Sequence, residues 1–281
     1  SNLLLFDCIE LMSTSVVQGI ITKVEETLSS SQTTKTVVAV YGPQGSGKTT
    51  STREAAKELN AKGIPTIAVS LDDYYKPYSK LKEIAHLGNP LLLHRGLPGT
   101  HDTAELLQFL KDFAAGKNDL EVPVYDKSLH SGAGDRAGNR EVPNDTQAIL
   151  VEGWMIGFKP IGETAISGKM DLIRDQKLNF IKQPTLKDCV EIDTNLKAYL
   201  PIWDHFAALI KLEPLDMHYI YKWRLHQEHD LIKSTGQGMS DEEVKTFVDQ
   251  YWSSYILYAD TFTSDLTFYL DIDHKASLRK L

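Results

Sequence analysis

Thr36-Val37-Val38-Ala39-Val40-Tyr41 runs directly into Gly42-Pro43-Gln44-Gly45-Ser46-Gly47-Lys48-Thr49. The first six residues form a β-branched, apolar run suited to a strand buried on both faces. The next eight match G-x-x-x-x-G-K-[ST], and a helical stretch to about Asn60 follows. Glycines in such a turn let backbone N–H groups point inward at phosphate oxygens, and the helix start adds a partial positive charge. Lys48 is then placed to reach the β- and γ-phosphates, and Thr49 to put its hydroxyl on Mg²⁺, with Thr50 in the same first helical turn. A chance match in a glycine-rich turn would not need the flanking strand and helix. Gly42–Thr50 therefore reads as a nucleoside triphosphate cradle.

Working outward, Gly63 and Pro65 punctuate the chain before a second strand-like run, Thr66–Leu71. This strand–helix–strand rhythm implies a parallel sheet with helices on both faces. A helix over Thr103–Ala115 and strands at Ala148–Val151, Phe206–Leu212 and Leu266–Ile272 continue it. Upstream, residues 8–29 predict a helix from Ile9, Met12, Val16, Ile20 and Val24, ended by Ser29-Ser30-Ser31. Residues 122–144 hold Gly, Pro, Asp, Asn and Ser with few apolar residues and predict a long loop. Residues 159–194 scatter Lys, Asp and Gly among single apolar residues and predict an insertion on the main fold. The economical architecture is one α/β domain over 1–281, with an N-terminal helical segment at 1–35.

Composition narrows the function classes. The chain has 281 residues and is 42% hydrophobic, enough to bury a core, which excludes wholesale disorder. No run of about 18 apolar residues exists to span a bilayer. A net charge of -8 disfavours nucleic acid as a partner, because extended polyanions need a basic face. It does not exclude a small anion held in a locally basic pocket. Two cysteines, Cys8 and Cys189, build no disulfide framework and suggest a reducing compartment. Leu3–Phe6 lacks a basic flank and is followed by Asp7 and Glu10, so it predicts neither a secretory signal nor a transit peptide. The expectation is a cytoplasmic protein without a membrane partner, in which the sequon Asn144-Asp145-Thr146 stays idle.

Two strand ends carry acids. Ser70-Leu71-Asp72-Asp73-Tyr74-Tyr75 puts two carboxylates at the carboxyl end of a parallel strand, the edge where open α/β sheets bind ligands. Such a carboxylate can take the proton of an attacking hydroxyl in phosphoryl transfer, or it can simply cap a turn. Val151-Glu152-Gly153 ends another buried run, and an acid there in a P-loop protein holds Mg²⁺ directly or through water. The guanine-recognition pattern N-K-x-D is absent, which argues against a GTPase.

The P-loop, Asp72-Asp73-Tyr74-Tyr75, Pro123-Val124-Tyr125-Asp126 and Val151-Glu152-Gly153 come in the order of the phosphoribulokinase/uridine kinase/pantothenate kinase superfamily. Arg95-Gly96-Leu97-Pro98-Gly99-Thr100-His101-Asp102, Tyr125-Asp126-Lys127-Ser128 leading to Gly134-Asp135-Arg136, and Trp223-Arg224-Leu225-His226-Gln227-Glu228 narrow it further. Together they resemble the D-glycerate 3-kinase family of plants and its fungal relatives, from about residue 36 to the C-terminus. The resemblance implies a P-loop kinase fold and transfer of the γ-phosphoryl group of Mg-ATP to a hydroxyl of a small acid, D-glycerate. It implies Asp72 as general base, Asp73 orienting the loop or a metal-bound water, and Glu152 beside Thr49 on Mg²⁺. Arg95, His101, Asp102, Tyr125, Lys127 and Arg136 would line the acceptor pocket. Arg224 would close over the transferring phosphoryl.

Each of these has a plainer alternative. Thr100, His101 and Asp102 could be a turn and helix cap, exposed loop cations are usually just solvated, and Arg224 could pair with Glu228 one turn on. Tyr219, Tyr221, Trp223, Tyr251, Trp252, Tyr255 and Tyr258 read as packing residues. Leu270–His274 reads as a wall for adenine. The chain departs from the family pattern at Gln250, where relatives often carry a basic residue. A kinase for a nucleoside or pantothenate-like alcohol, and an ATP-binding switch without turnover, remain the competing readings.

Overall fold

The computed structural model describes residues 2–30, 34–176, 178–180 and 182–278, with backbone alone for 2–14 and 235. Its strands are β1 (Thr36–Tyr41), β2 (Thr66–Ser70), β3 (Glu121–Asp126), β4 (Asp135–Glu141), β5 (Ala148–Gly153), β6 (Ala208–Pro214), β7 (Leu266–Leu270) and β8 (Ala276–Leu278). The main sheet has the order β2-β5-β1-β6-β7-β8, parallel except for β8, which runs antiparallel to β7. β1 and β5 are buried at every position. That is why both read as unbroken apolar runs rather than alternating ones.

The helices are α1 (Asn2–Ser30), α2 (Lys48–Ala61), α3 (Tyr78–His86), α4 (Thr103–Ala114), α5 (Glu163–Asp175), α6 (Leu186–Leu196), α7 (Leu200–Trp203), α8 (Tyr219–Thr235) and α9 (Asp241–Tyr258). α1 buries Val16, Ile20 and Val24, as its periodicity predicts. The side chains of Ile9 and Met12, Cys8, the Leu3–Phe6 run and the terminal Ser31 lie outside the described residues. α1 lies so close to β7 that a Cβ on Gly19 would sit 2.5 Å from the Phe268 ring. Cys189 is free and buried, and burial pushes its thiol up to about 11, so it is inert. Among the described residues no helix is long and apolar enough to cross a membrane.

One segment differs from expectation. Residues 122–144 are not one long loop but an antiparallel ribbon of β3 and β4, with Tyr125 opposite Arg136 and Asp126 opposite Asp135. The ribbon projects from the sheet and β4 is largely exposed, so its residues carry no apolar alternation for a sequence reading to detect. Residues 159–194 contain α5 and most of α6, whose Ile166, Met170, Ile173, Cys189 and Ile192 join the common core.

β1 lies between β5 and β6, so the chain leaves it toward one side of the sheet and later fills the other. A crevice therefore opens at the carboxyl end of β1. The P-loop, Asp72 and Glu152 all follow strand ends on this edge.

Candidate active site

The P-loop closes through local geometry. Gly45 and Gly47 hold left-handed φ values of 80° and 81°, which glycine adopts at no steric cost. Gly47 starts α2 with no side-chain cap, so the N–H groups of the first turn stay available for an anion. At Gly45 a Cβ would fall 2.5 Å from the Cβ of Trp223, and at Gly42 one would fall 2.4 Å from Ser46 Oγ. Trp223 donates from Nε1 to the Ile272 carbonyl at 2.8 Å and stacks on His274, whose Nε2 donates to the Gly45 carbonyl at 2.6 Å. The Leu270–His274 segment thus lies against the outer side of the loop. Gln44 accepts from the Tyr255 hydroxyl. Lys48 Nζ is 3.4 Å from the Pro43 carbonyl, and Thr50 is exposed.

Thr49 and Glu152 meet from neighbouring strand ends. Thr49 donates its hydroxyl to Glu152 Oε1 at 2.9 Å, while Glu152 Oε2 is buried without a hydrogen-bond partner. An orphaned carboxylate oxygen at 4% residue exposure is costly unless something positive uses it. Among the described residues no group of three His, Cys, Asp or Glu could cage a metal by itself. A hydroxyl and one carboxylate are the donor set that suits Mg²⁺, which keeps waters and takes phosphate oxygens for the rest.

Across the crevice, Asp72 and Asp73 sit in the single turn after β2. Ser70 caps that turn by accepting from the Asp72 N–H, and Asp73 returns a carboxylate to the Ser70 N–H at 3.3 Å. Asp73 therefore orients the loop. Burial raises its carboxyl, against the Ser70 hydrogen bond and the charge of Arg140. Asp72 pairs with Lys127 Nζ at 2.5 Å. Burial by itself pushes the Asp72 carboxyl up, but the Lys127 ammonium, with Lys48 nearby, overrides it and holds the group well below the usual carboxylate range. The same pairing raises Lys127.

The expected acceptor residues divide. Arg95 gives its guanidinium to the Gly132 carbonyl at 2.8 Å and to the Ala133 carbonyl, lying over the Tyr125 ring. Tyr125 donates to the Ala133 carbonyl at 3.2 Å and packs edge-on against Tyr75. Arg95, Tyr125 and Lys127 thus come together at the ribbon, beside Asp72. His101 is buried and stacks on Tyr75 at 4.4 Å. Asp102 does not join them: it caps α4, accepting from the Glu105 N–H at 3.1 Å. Arg136 does not join them either. Its two terminal nitrogens bind the Glu105 carboxylate at 3.3 and 2.8 Å and its Nε donates to the Tyr75 carbonyl, so its fork pins the ribbon to α4. Its partner lies 31 residues earlier, beyond any sequence-local signal.

Arg224 pairs with Glu228 Oε2 at 2.7 Å, the helical i,i+4 contact, and lies over the Phe247 ring. Glu228 is itself buried, and its other oxygen accepts from the Met239 N–H at 2.8 Å, tying Arg224 to the α8–α9 turn. Gln250 is half-buried on α9 next to Asp249. Asp249 is the residue most heavily used there, binding the Tyr221 hydroxyl, the Asn179 N–H at 2.8 Å and Lys245 at 2.7 Å. Nothing in the sequence singled out Asp249 or Tyr199, because each acts through contacts between distant segments, while Glu228, read only as a partner for Arg224, also holds the Met239 N–H.

No protein-family model matches the chain. It is 35% identical over 235 residues to mug58, an uncharacterized kinase of Schizosaccharomyces pombe, covering 81% of this chain and 82% of that one. It is 33% identical over 234 residues to the chloroplastic D-glycerate 3-kinase of Arabidopsis thaliana, spanning 80% of this chain and about half, 48%, of the plant protein. The solved D-glycerate 3-kinase of Cryptococcus neoformans superposes with a TM-score of 0.85 at 29% identity, covering 96% of this chain and 99% of that one. The chain belongs to the D-glycerate 3-kinase family of P-loop kinases. It is thus an ATP-dependent phosphotransferase acting on a small-molecule acceptor. Within the D-glycerate 3-kinase family, the agreement in fold extends through α5 and α6, since the match to the Cryptococcus structure covers nearly the whole chain.

Proposed function

We propose that this kinase transfers the γ-phosphoryl group of Mg-ATP to a hydroxyl of D-glycerate. The observation that carries this is Asp72, held ionised by Lys127 at 2.5 Å on the strand edge that also carries the P-loop. A small acid needs one carboxylate to receive its hydroxyl proton and a cation to receive its own carboxylate. Asp72 and Lys127 supply both, with Arg95 close by. A neutral nucleoside or alcohol would have no use for these cations. The names of the plant and Cryptococcus relatives support the same acceptor.

The backbone amides of 43–49 and Lys48 bind the phosphates. Thr49 and Glu152 are the residues that would hold Mg²⁺, which when bound would neutralise phosphate charge. Asp72 accepts the proton of the attacking hydroxyl, and Lys127 turns from Asp72 to the acceptor's carboxylate. Arg224 leaves Glu228 to meet the charge spread over the transferring group. Because the transition state is loose, these groups work by position and charge more than by covalent chemistry. The whole chain is taken as one kinase domain with residues 159–194 built into it, supported by a core that runs from Val16 to Leu270. Cytoplasmic residence is supported by two cysteines with no disulfide framework.

The test is ADP release with Mg-ATP over a panel of small hydroxy acids, sugars and nucleosides. D-Glycerate should stimulate turnover, and Asp72→Asn should lower it by orders of magnitude while ATP still binds. Stimulation by a nucleoside and not by glycerate refutes the acceptor. ATP binding with turnover indifferent to every acceptor refutes the kinase reaction.

A further inference from the structure

His101 has two ring nitrogens with very different surroundings. Nδ1 lies 2.8 Å from the Tyr199 hydroxyl, while Nε2 is buried with no hydrogen-bond partner. Which nitrogen carries the proton follows from the bonds of Tyr199. Its oxygen accepts from the Gly99 N–H at 3.2 Å, and among the described residues no acceptor other than Nδ1 is bonded to its own proton. The phenol therefore meets Nδ1 by donating, and burial raises its pKa so that the proton stays on. Nδ1 is then the acceptor, and the imidazole proton sits on Nε2.

The ring stays neutral. Burial, with the nearby cations Lys76, Lys127 and Arg136, brings its pKa down to about 3 against the opposing charge of Asp72. Tyr75 stacked on its face at 4.4 Å and Tyr199 edge-on at 5.7 Å fix its plane. Asp72 is the charged group acting most strongly on it. A neutral N–H donor without an acceptor of its own is thus held rigidly against Tyr75, whose own N–H donates to the Asp72 carbonyl at 3.3 Å. A buried donor left unpaired costs stability, so a native site that keeps one has a use for it.

We infer that the Nε2–H of His101, with its tautomer set by Tyr199, reads the second hydroxyl of a vicinal-diol acid whose first hydroxyl is deprotonated by Asp72. This rests on the acceptor reading above. A carboxylate that draws Lys127 off Asp72 opens the space beside Nε2. The acceptor then meets three different groups: Asp72 takes the reacting hydroxyl, Lys127 the carboxylate and His101 the neighbouring hydroxyl oxygen. Three unlike contacts on one carbon framework also distinguish its enantiomers, which two contacts cannot do. Tyr199 touches no substrate and is a positioning residue.

The experiment pairs substrates with variants. Wild-type protein should prefer D-glycerate to 3-hydroxypropanoate, which lacks the second hydroxyl, by more than about 100-fold in kcat/KM, since a site built to bond a hydroxyl rejects the analogue without it. It should also prefer D- to L-glycerate. His101→Leu should bring both ratios to within about threefold, chiefly by losing the better substrate, and His101→Gln, whose amide keeps a donor, should restore much of the preference. Equal losses for all three acids in His101→Leu, with no change in either ratio, overturn the inference. Independently of turnover, nitrogen-15 spectra of the free protein should show His101 protonated on Nε2 in wild type, and a mixture of tautomers in Tyr199→Phe. Protonation on Nδ1 in wild type overturns the inference while leaving the acceptor reading intact. A wild-type enzyme that phosphorylates no hydroxy acid overturns the acceptor reading and the substrate assignment of His101 together.

Discussion

Replacing Lys127 with Met should bring the titration of Asp72 into view. Two unit charges 2.5 Å apart attract by about 7 kcal/mol at an effective dielectric constant of about 20, and by about 2 kcal/mol in bulk water. Lys127 is 57% exposed at its side chain, so solvent screens the pair and the lower figure applies. About 2 kcal/mol is about 1.5 pKa units. In wild type the depressed carboxyl of the free enzyme stays ionised down to below the ordinary aspartate value of about 3.9, so kcat/KM should lack an acid limb above that pH. Without the ammonium, burial is opposed only by the more weakly acting His101 and Lys48, so the carboxyl moves up and the acid limb of kcat/KM should shift upward by about 1.5 pH units. The fold follows the same sign. The pair's contribution to stability is present above the unfolded carboxylate value and lost as pH falls through the depressed one. The assay is kcat/KM for the acceptor against pH, which reports the free enzyme in which Lys127 sits on Asp72. A carbon-13 titration of the Asp72 carboxyl in the free variant serves if turnover is too slow. An acid limb or a carboxyl titration unchanged from wild type would refute the view that Lys127 controls the base.

Three other perturbations have defined outcomes. Lys48→Ala should weaken ATP binding and turnover together, read by calorimetry and steady-state kinetics, whereas Asp72→Asn should separate the two. Thr49→Val removes the hydroxyl bonded to Glu152 at 2.9 Å and should raise the Mg²⁺ concentration needed for half-maximal turnover by about 10–100-fold; an unchanged requirement removes Thr49 from the metal site. Asp249→Leu strips three donors of their buried acceptor and should destabilise the protein by about 3–5 kcal/mol in urea unfolding, and a loss under about 1 kcal/mol counts against the network.

How much of this could be read from the chain depends on how local each cause is. The phosphate cradle was legible because its eight positions act within one turn, flanked by a strand and a helix that announce themselves by composition. Glu152 was legible as an acid at the end of an apolar run, and Asp72 for the same reason. The ribbon was not, because exposed antiparallel strands can satisfy their backbone with polar side chains throughout. Arg136 was assigned through the resemblance, and the carboxylate it meets in the structure is that of Glu105, which no local pattern marks. Asp102 reads as a pocket residue that can also be a cap, and the structure shows the cap through the Glu105 N–H. Tyr199 carries no motif, yet it controls the protonation of a histidine 98 residues away.

Trp223 packs its Cβ on the position a side chain at Gly45 would need, with its indole bonded to Ile272 and stacked on His274. Of the four tryptophans, it is the one pressed directly on the phosphate loop, whereas Trp203 sits beside Phe206 and Trp154 and Trp252 pack among the aromatic residues of α8 and α9. The protein therefore carries its own optical reporter. Nucleotide filling the loop is expected to change the emission of an indole packed on it, so titration of unlabelled protein with ATP checks the contact. Nucleotide occupancy can be followed in unlabelled protein before any acceptor is known.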